Sequence, residues 1–229
     1  MGLILSIETA ISVCSVALHR DGKLEGCLEL HQDNVHAQKL MPAIKALLDR
    51  AGIETAELDA IAVSAGPGSY TGLRIGVSTA KGLAYAHDLP LIAVDTLSAL
   101  AYRASEAVEP EDFIIPVIDA RRMEVYQKVL NGRMEEISPL EPLIIDEQSF
   151  SEYLQKGKVF FIGDAVFKIK SELRHENARF LSLLNSAISI GELAYEKFEK
   201  GDFVDLAYFE PNYLKEFRVI TSKKNPLLL

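Results

Sequence analysis

Residues 59–87 read DAIAVSA, then GPGSYTG, then LRIGVSTAKGLAYAH, and the fold class turns on this stretch. Ile61, Val63 and Ala65 alternate with smaller or polar residues, as in a buried strand. Gly66, Pro67, Gly68 and Gly72 follow at once, and a helix rich in small residues comes next. Each glycine inside a helix costs about 1 kcal/mol relative to alanine. Gly72, Gly76 and Gly82 therefore imply a gain from close approach, either of a ligand at the helix N-terminus or of another element on its smooth face.

Two readings of the loop compete. One is anion binding, where free N–H groups and the helix dipole converge. The other is a tight turn that folds the strand back onto its helix. No Gly-Lys-Ser/Thr ends the loop, so it is not a Walker loop. The spacing G-x-G-x-x-x-G is one residue too long for a dinucleotide fingerprint, and the tight turn is the preferred reading. Ser69 or Thr71 is the expected N-cap. Gly72, Gly76 and Ala80 recur every four residues and share one face, which is expected to point outward and admit a second helix.

Working outward, residues 3–9, 13–19 and 23–31 read as strands, with an Asp21-Gly22 hairpin turn between the last two. A helix is expected over about 34–51, from the spacing of Val35, Leu40, Ile44, Leu47 and Leu48, with Gly52 as its cap. After the glycine helix comes a strand at 90–94. This βββαβα order suits a mixed sheet flanked by helices. The second half opens alike, with FIIPVIDA, EVYQKVL and a later short strand. A helix near 147–156, the strand KVFFIGD, and helices near 165–174 and 186–200 follow. The acidic, proline-containing stretch Glu109–Asp112 marks the boundary between lobes 1–108 and 109–229, with the last helix free to pack back on the first lobe.

The chain has 229 residues, 48% of them hydrophobic, so it can bury a substantial core. A net charge of −9 argues against unaided binding of nucleic acid, which needs clustered Lys and Arg. The basic clusters are Arg121-Arg122 and Lys223-Lys224. Cys14 and Cys27 read as buried thiols, with no C-x-x-C pair for a metal or redox centre. No basic n-region opens the chain and no apolar run reaches membrane-spanning length, so a cytoplasmic location without membrane attachment is expected. The five histidines make no H-E-x-x-H or paired metal motif, and no metal or other cofactor is expected.

AGPGSYTGLRIGVSTAKGLA (65–84) followed by LPLIAVDTLSALA (89–101) resembles the TsaB (YeaZ) family of bacterial tRNA-modification proteins. LILSIETAISVCSVAL, NVHAQKLMPAIKALLDRAG, VIDARRMEVYQKVL and PNYLKEF match the same family in the same order, with 130–190 matching least. The resemblance implies a two-lobed actin-like ATPase (Hsp70, sugar kinase) fold, an α/β architecture in which one unit is duplicated. It implies a non-catalytic subunit that binds and supports the threonylcarbamoyl transferase TsaD, in a complex with the ATPase TsaE. It implies self-pairing as a homodimer when TsaD is absent, and contact with tRNA through the complex alone. The residues expected at the partner contact are His36, Leu40, Gly72, Arg74, Gly76, Thr79 and Ala80.

In this fold, nucleotide phosphates bind on the two hairpin turns. The matching positions are Glu8 and Thr9 in the first turn, Asp119 in the second, and Gly163 with Asp164 at the turn that faces an adenosine. The first turn has no glycine, and Glu8 stands where relatives carry aspartate, so a degenerate, vestigial nucleotide cleft is expected. TsaD carries two metal-binding histidines after the strand equivalent to 90–94, whereas Val94–Leu100 here has none. The alternative reading is a small-molecule kinase or ATPase of the same fold, which would need a tight cleft and a catalytic carboxylate.

Overall fold

The computed structural model describes residues 2–214. The Lys223-Lys224 cluster and the last three residues of PNYLKEF lie outside them. The strands form two five-stranded mixed sheets. The first comprises β1 (Leu3–Glu8), β2 (Val13–Arg20), β3 (Lys23–His31), β4 (Ala60–Ser64) and β5 (Leu91–Val94), in the order β3-β2-β1-β4-β5. The second comprises β6 (Phe113–Asp119), β7 (Glu124–Asn131), β8 (Glu136–Ile144), β9 (Val159–Ile162) and β10 (Ala178–Leu181), in the order β10-β9-β6-β7-β8. Each opens as an antiparallel meander and then adds parallel strands beside its first strand, the same construction twice.

Local signals explain the elements. Asp21 and Gly22 take positive φ, 49° and 74°, as a two-residue hairpin between right-twisted strands demands. Helix α1 (His36–Ala51) ends at Gly52, whose φ of 67° is the left-handed cap. Helix α2 (Tyr70–His87) starts at Ser69, whose Oγ accepts the Gly72 N–H at 3.3 Å. Leu40, Ile44, Leu47 and Leu48 of α1 and Val77, Ala80 and Ala84 of α2 share one core with Leu5, Ile7, Val16 and Val63. On the opposite face of the same sheet lies helix α6 (Ala187–Lys200), whose Ile190 and Ala194 pack on Ile4, Ala60, Ala62 and Ile92. Gly191 lets α6 come close, since a Cβ there would stand 2.1 Å from His19 Nδ1.

Three elements differ from the sequence expectation. Helix α3 (Thr96–Tyr102) follows β5, capped by Asp95, which accepts the Ser98 N–H at 2.7 Å. Its Leu97, Leu100 and Ala101 join the core of the second sheet with Ile114, Ile118 and Ile162. The helix expected over 147–156 shrinks to α4 (Ser151–Leu154), because Asp146 binds the Gln148 N–H and the Ser149 hydroxyl and holds 146–149 in a turn. The short edge strand β10 had no distinct sequence signal, and helix α5 (Val166–Glu172) precedes it. Cys14 pairs with Leu30 and Cys27 with Ala17, so the thiols point to opposite faces of the sheet and both are free.

Candidate functional site

The glycine loop and α2 close over the β1–β2 turn. Ser69 N–H donates to the Ala10 carbonyl at 2.6 Å, and the Thr9 hydroxyl donates to the Gly72 carbonyl at 2.9 Å. A Cβ on Gly68 would stand 2.5 Å from the Ala10 oxygen. On Gly72 it would stand 2.1 Å from the Thr9 oxygen, and on Gly76 2.1 Å from Thr9 Oγ1. These glycines are the space in which the first turn sits. The N–H groups of Ser69 and Gly72 already have protein acceptors, as the tight-turn reading requires.

This corrects the outward direction expected for the small-residue face of α2. Gly72, Gly76 and Ala80 face inward, with Ala80 wholly buried, because the small residues admit the lobe's own turn rather than a foreign helix. Leu40 is 1% exposed and belongs to the core. His36 is buried, with Nε2 3.3 Å from the Val13 carbonyl, so it ties α1 to β2. Arg74 is exposed and lies over the Tyr70 ring, while Thr79 is half-buried. The outward faces of α1 and α2 instead present Met41, 48% exposed, and Tyr85, 81% exposed, beside Ser78 and Gly82. Met41 and Tyr85 had only their place in a helix to mark them, and the face of each helix had to be known first.

At each of the two hairpin turns where the resemblance led phosphates to be expected, the carboxylate that precedes the turn accepts one of its N–H groups. Glu8 Oε1 accepts the Ala10 N–H at 2.6 Å. Asp119 Oδ1 accepts the Arg121 N–H at 2.5 Å. Glu8 is wholly buried, and burial raises its carboxyl to about 7 against the opposing pull of the Ala10 N–H and the Ser64 hydroxyl. Thr9, also wholly buried, donates its N–H toward Ser64 Oγ at 3.5 Å. In the second lobe the nearly buried Lys168 donates to Asp119 Oδ1 at 2.8 Å and to the Glu124 carbonyl at 2.9 Å.

Gly163 has φ 126° and a Cβ there would stand 2.1 Å from the Val117 oxygen, so its role is close packing of β9 on β6. Asp164 accepts the Asp119 N–H at 2.9 Å. Burial raises it to about 6, with the charge of Asp119 adding to the rise. Two further residues at these turns, Lys168 and Asn185, were not expected from the sequence. Lys168 sits one residue before Ile169 on the buried side of α5. Asn185 had no signal in the sequence. Among the described residues, no group of three His, Cys, Asp or Glu is placed to hold a metal, and no helix is long and apolar enough to cross a membrane.

The family model described as TsaD, tRNA N6-adenosine threonylcarbamoyltransferase, matches residues 30–171. The tRNA threonylcarbamoyladenosine biosynthesis protein TsaB of Haemophilus influenzae is 32% identical over 97% of this chain and 97% of its own length. TsaB of Escherichia coli is 33% identical over 93% of this chain and 94% of its own. The solved structure of YeaZ from Pseudomonas aeruginosa superposes with a TM-score of 0.82 at 30% identity, covering 93% of this chain and all of that one. The fold is the two-lobed actin-like ATPase fold. Within the wider group whose family model is named for TsaD, this chain belongs to the TsaB (YeaZ) family.

Proposed function

We propose that this chain serves tRNA threonylcarbamoyladenosine biosynthesis as a non-catalytic, cytoplasmic subunit. It binds TsaD through the outward faces of α1 and α2, works in one complex with TsaE, and pairs with a second copy when TsaD is absent. The names of its relatives support the pathway. The observation that supports the accessory role is that Glu8 and Asp119 each accept one N–H of the two turns on which a nucleotide would need donors. A kinase of this fold needs those donors free and an ionised carboxylate beside a metal, whereas Glu8 is buried without a counter-charge.

Met41 and Tyr85 are the large apolar side chains exposed on α1 and α2, which suits them to anchor a partner helix. The test is a titration of TsaD with the wild-type chain, the double variant Met41→Asp/Tyr85→Asp, and a control change on the second lobe, Phe167→Asp. The double variant is expected to lose about 2 kcal/mol or more of binding, with its melting temperature unchanged. Equal affinities for all three chains would refute this surface. Stoichiometric binding of ATP–Mg to the isolated chain, with hydrolysis, would favour the kinase reading instead.

A further inference from the structure

On the second lobe, residues of β7, β8 and α4 line an open cavity of about 190 Å³. A bulge in β8 builds one wall. Gln127 pairs with Glu141 and Val129 with Ser138, so two steps along β7 face three along β8. The extra residue brings Ser138 and Glu141 to one face of the sheet, where regular alternation would separate them. The turn at 146–149 leads into α4, and Phe150, Glu152 and Tyr153 line the same space. Val129, Leu143 and Phe150 pack in the core of this lobe and give the cavity an apolar wall.

The lining holds more acceptors than donors. Gln127 is 2% exposed, its Nε2 donates to Glu141 Oε1 at 3.0 Å, and its Oε1 has no donor in the chain. The Ser149 hydroxyl is spent in its own turn, donating to Asp146 at 2.9 Å. Among the described residues no cation pairs with Glu141 or Glu152. The Lys156 ammonium lies over the Tyr153 ring instead, 5.7 Å from its centroid. The lining therefore suits an occupant that brings donors and positive charge and tolerates apolar walls. Water meets the first condition alone. A hard metal ion prefers an all-oxygen shell, and no third carboxylate or histidine is placed to complete one. An ammonium on a methylene stem meets all three, with three N–H donors at its head and an apolar body behind it.

We propose that this cavity binds an alkylammonium group. Gln127 Oε1 and the Glu141 and Glu152 carboxylates take the head, and Val129, Leu143 and Phe150 take the stem. A free aliphatic amine and a lysine side chain of another protein present the same group. The cavity belongs to the second sheet, whereas α1 and α2 pack on the first, so this assignment does not rest on the binding of TsaD. It also accounts for Gln127, since a leucine at that place would fill the space without leaving a buried carbonyl unpaired.

The experiment follows the amide NMR resonances of the full chain during titration with cadaverine, with Nα-acetyl-lysine methylamide, and with n-pentanol as the uncharged control. The amides of Ser138, Glu141, Phe150 and Glu152 and the Gln127 side-chain amide are expected to shift and saturate with both amines, and not with n-pentanol at equal concentration. Tighter binding of cadaverine assigns the site to a free amine, and tighter binding of the lysine derivative assigns it to a protein side chain. Gln127→Leu should bind both about tenfold more weakly and melt no lower than the wild type, because it removes an unpaired buried carbonyl. Glu152→Gln changes an exposed residue, so it should fold as the wild type does and bind about threefold more weakly. If Gln127→Leu does not fold, Glu152→Gln decides the matter. Shifts that do not saturate with either amine would overturn the site, as would an equal response to n-pentanol or displacement of both amines by calcium chloride. A Gln127→Leu chain that melts lower and binds as tightly would make Gln127 a packing residue and overturn its role.

Discussion

The β1–β2 turn and the β6–β7 turn occupy equivalent places in the two lobes and solve the same problem in opposite ways. In each, the carboxylate two residues before a turn N–H accepts from it, Glu8 from Ala10 and Asp119 from Arg121. Glu8 is wholly buried on the sheet face away from the glycine helix, and burial raises its carboxyl to about 7. The Asp119 side chain is 37% exposed and keeps a buried cation against it, Lys168 at 2.8 Å. One turn is desolvated and sealed by packing, and the other is ion-paired and open to water. Desolvation without a counter-charge forces the first solution, and partial hydration with a lysine at hand permits the second.

The largest expected effect tests the seal on the first turn. Gly76→Leu forces a side chain into Thr9, 2.1 Å from the Cβ position, so it should cost about 3 kcal/mol or more and leave little folded protein. Gly82→Leu on the same helix meets nothing within 4 Å and should change the melting temperature by no more than ordinary surface substitutions do. If chemical denaturation found the two variants equally stable, the packing account of the first turn would fail.

The next effect concerns charge. The folded chain binds a proton at Glu8 more tightly than the unfolded chain does. The stability this adds is complete below 4.5 and is lost as pH rises through about 7. Glu8→Gln should therefore match the wild type in acid and exceed it by about 3 kcal/mol at alkaline pH. Urea titrations across that range measure the difference, and a constant offset between the two chains would contradict a buried neutral Glu8.

The smallest effect belongs to the second turn. Lys168→Met removes the cation from Asp119, but water can take its place at a carboxylate this exposed. The loss should be about 1 kcal/mol, far below that of a sealed ion pair. Lys168 also holds Asp164 down, so the variant should titrate Asp164 above its present value of about 6, which carboxyl NMR resonances would follow. An Asp164 that does not move on loss of Lys168 would mean that the two turns differ less than their surroundings suggest.

Much of this was legible before any coordinate. Period-two and helical spacing located β1 to β5, α1 and α2, because those segments bury one clear face and carry their caps in the sequence at Gly22, Gly52 and Ser69. The family could be read from motifs in order. What failed was direction. Gly72, Gly76 and Ala80 were correctly placed on one face of α2, but a stripe of small residues says only that something comes close. The same holds for His36, whose partner Val13 lies 23 residues earlier and across the core.

The sequence by itself determined β1 to β5, α1 and α2, the duplicated order, the family and the presence of carboxylates at both turns, since each of these rests on residues near one another in the chain. The tertiary structure alone decided which face of α2 is inside, that Lys168 neutralises Asp119, and that Glu8 shares a buried seam with Asn185 and α6. Burial is a sum over contacts between distant segments. Whether a carboxylate is charged, and whether a glycine meets a partner or its own lobe, follows from burial and not from spacing.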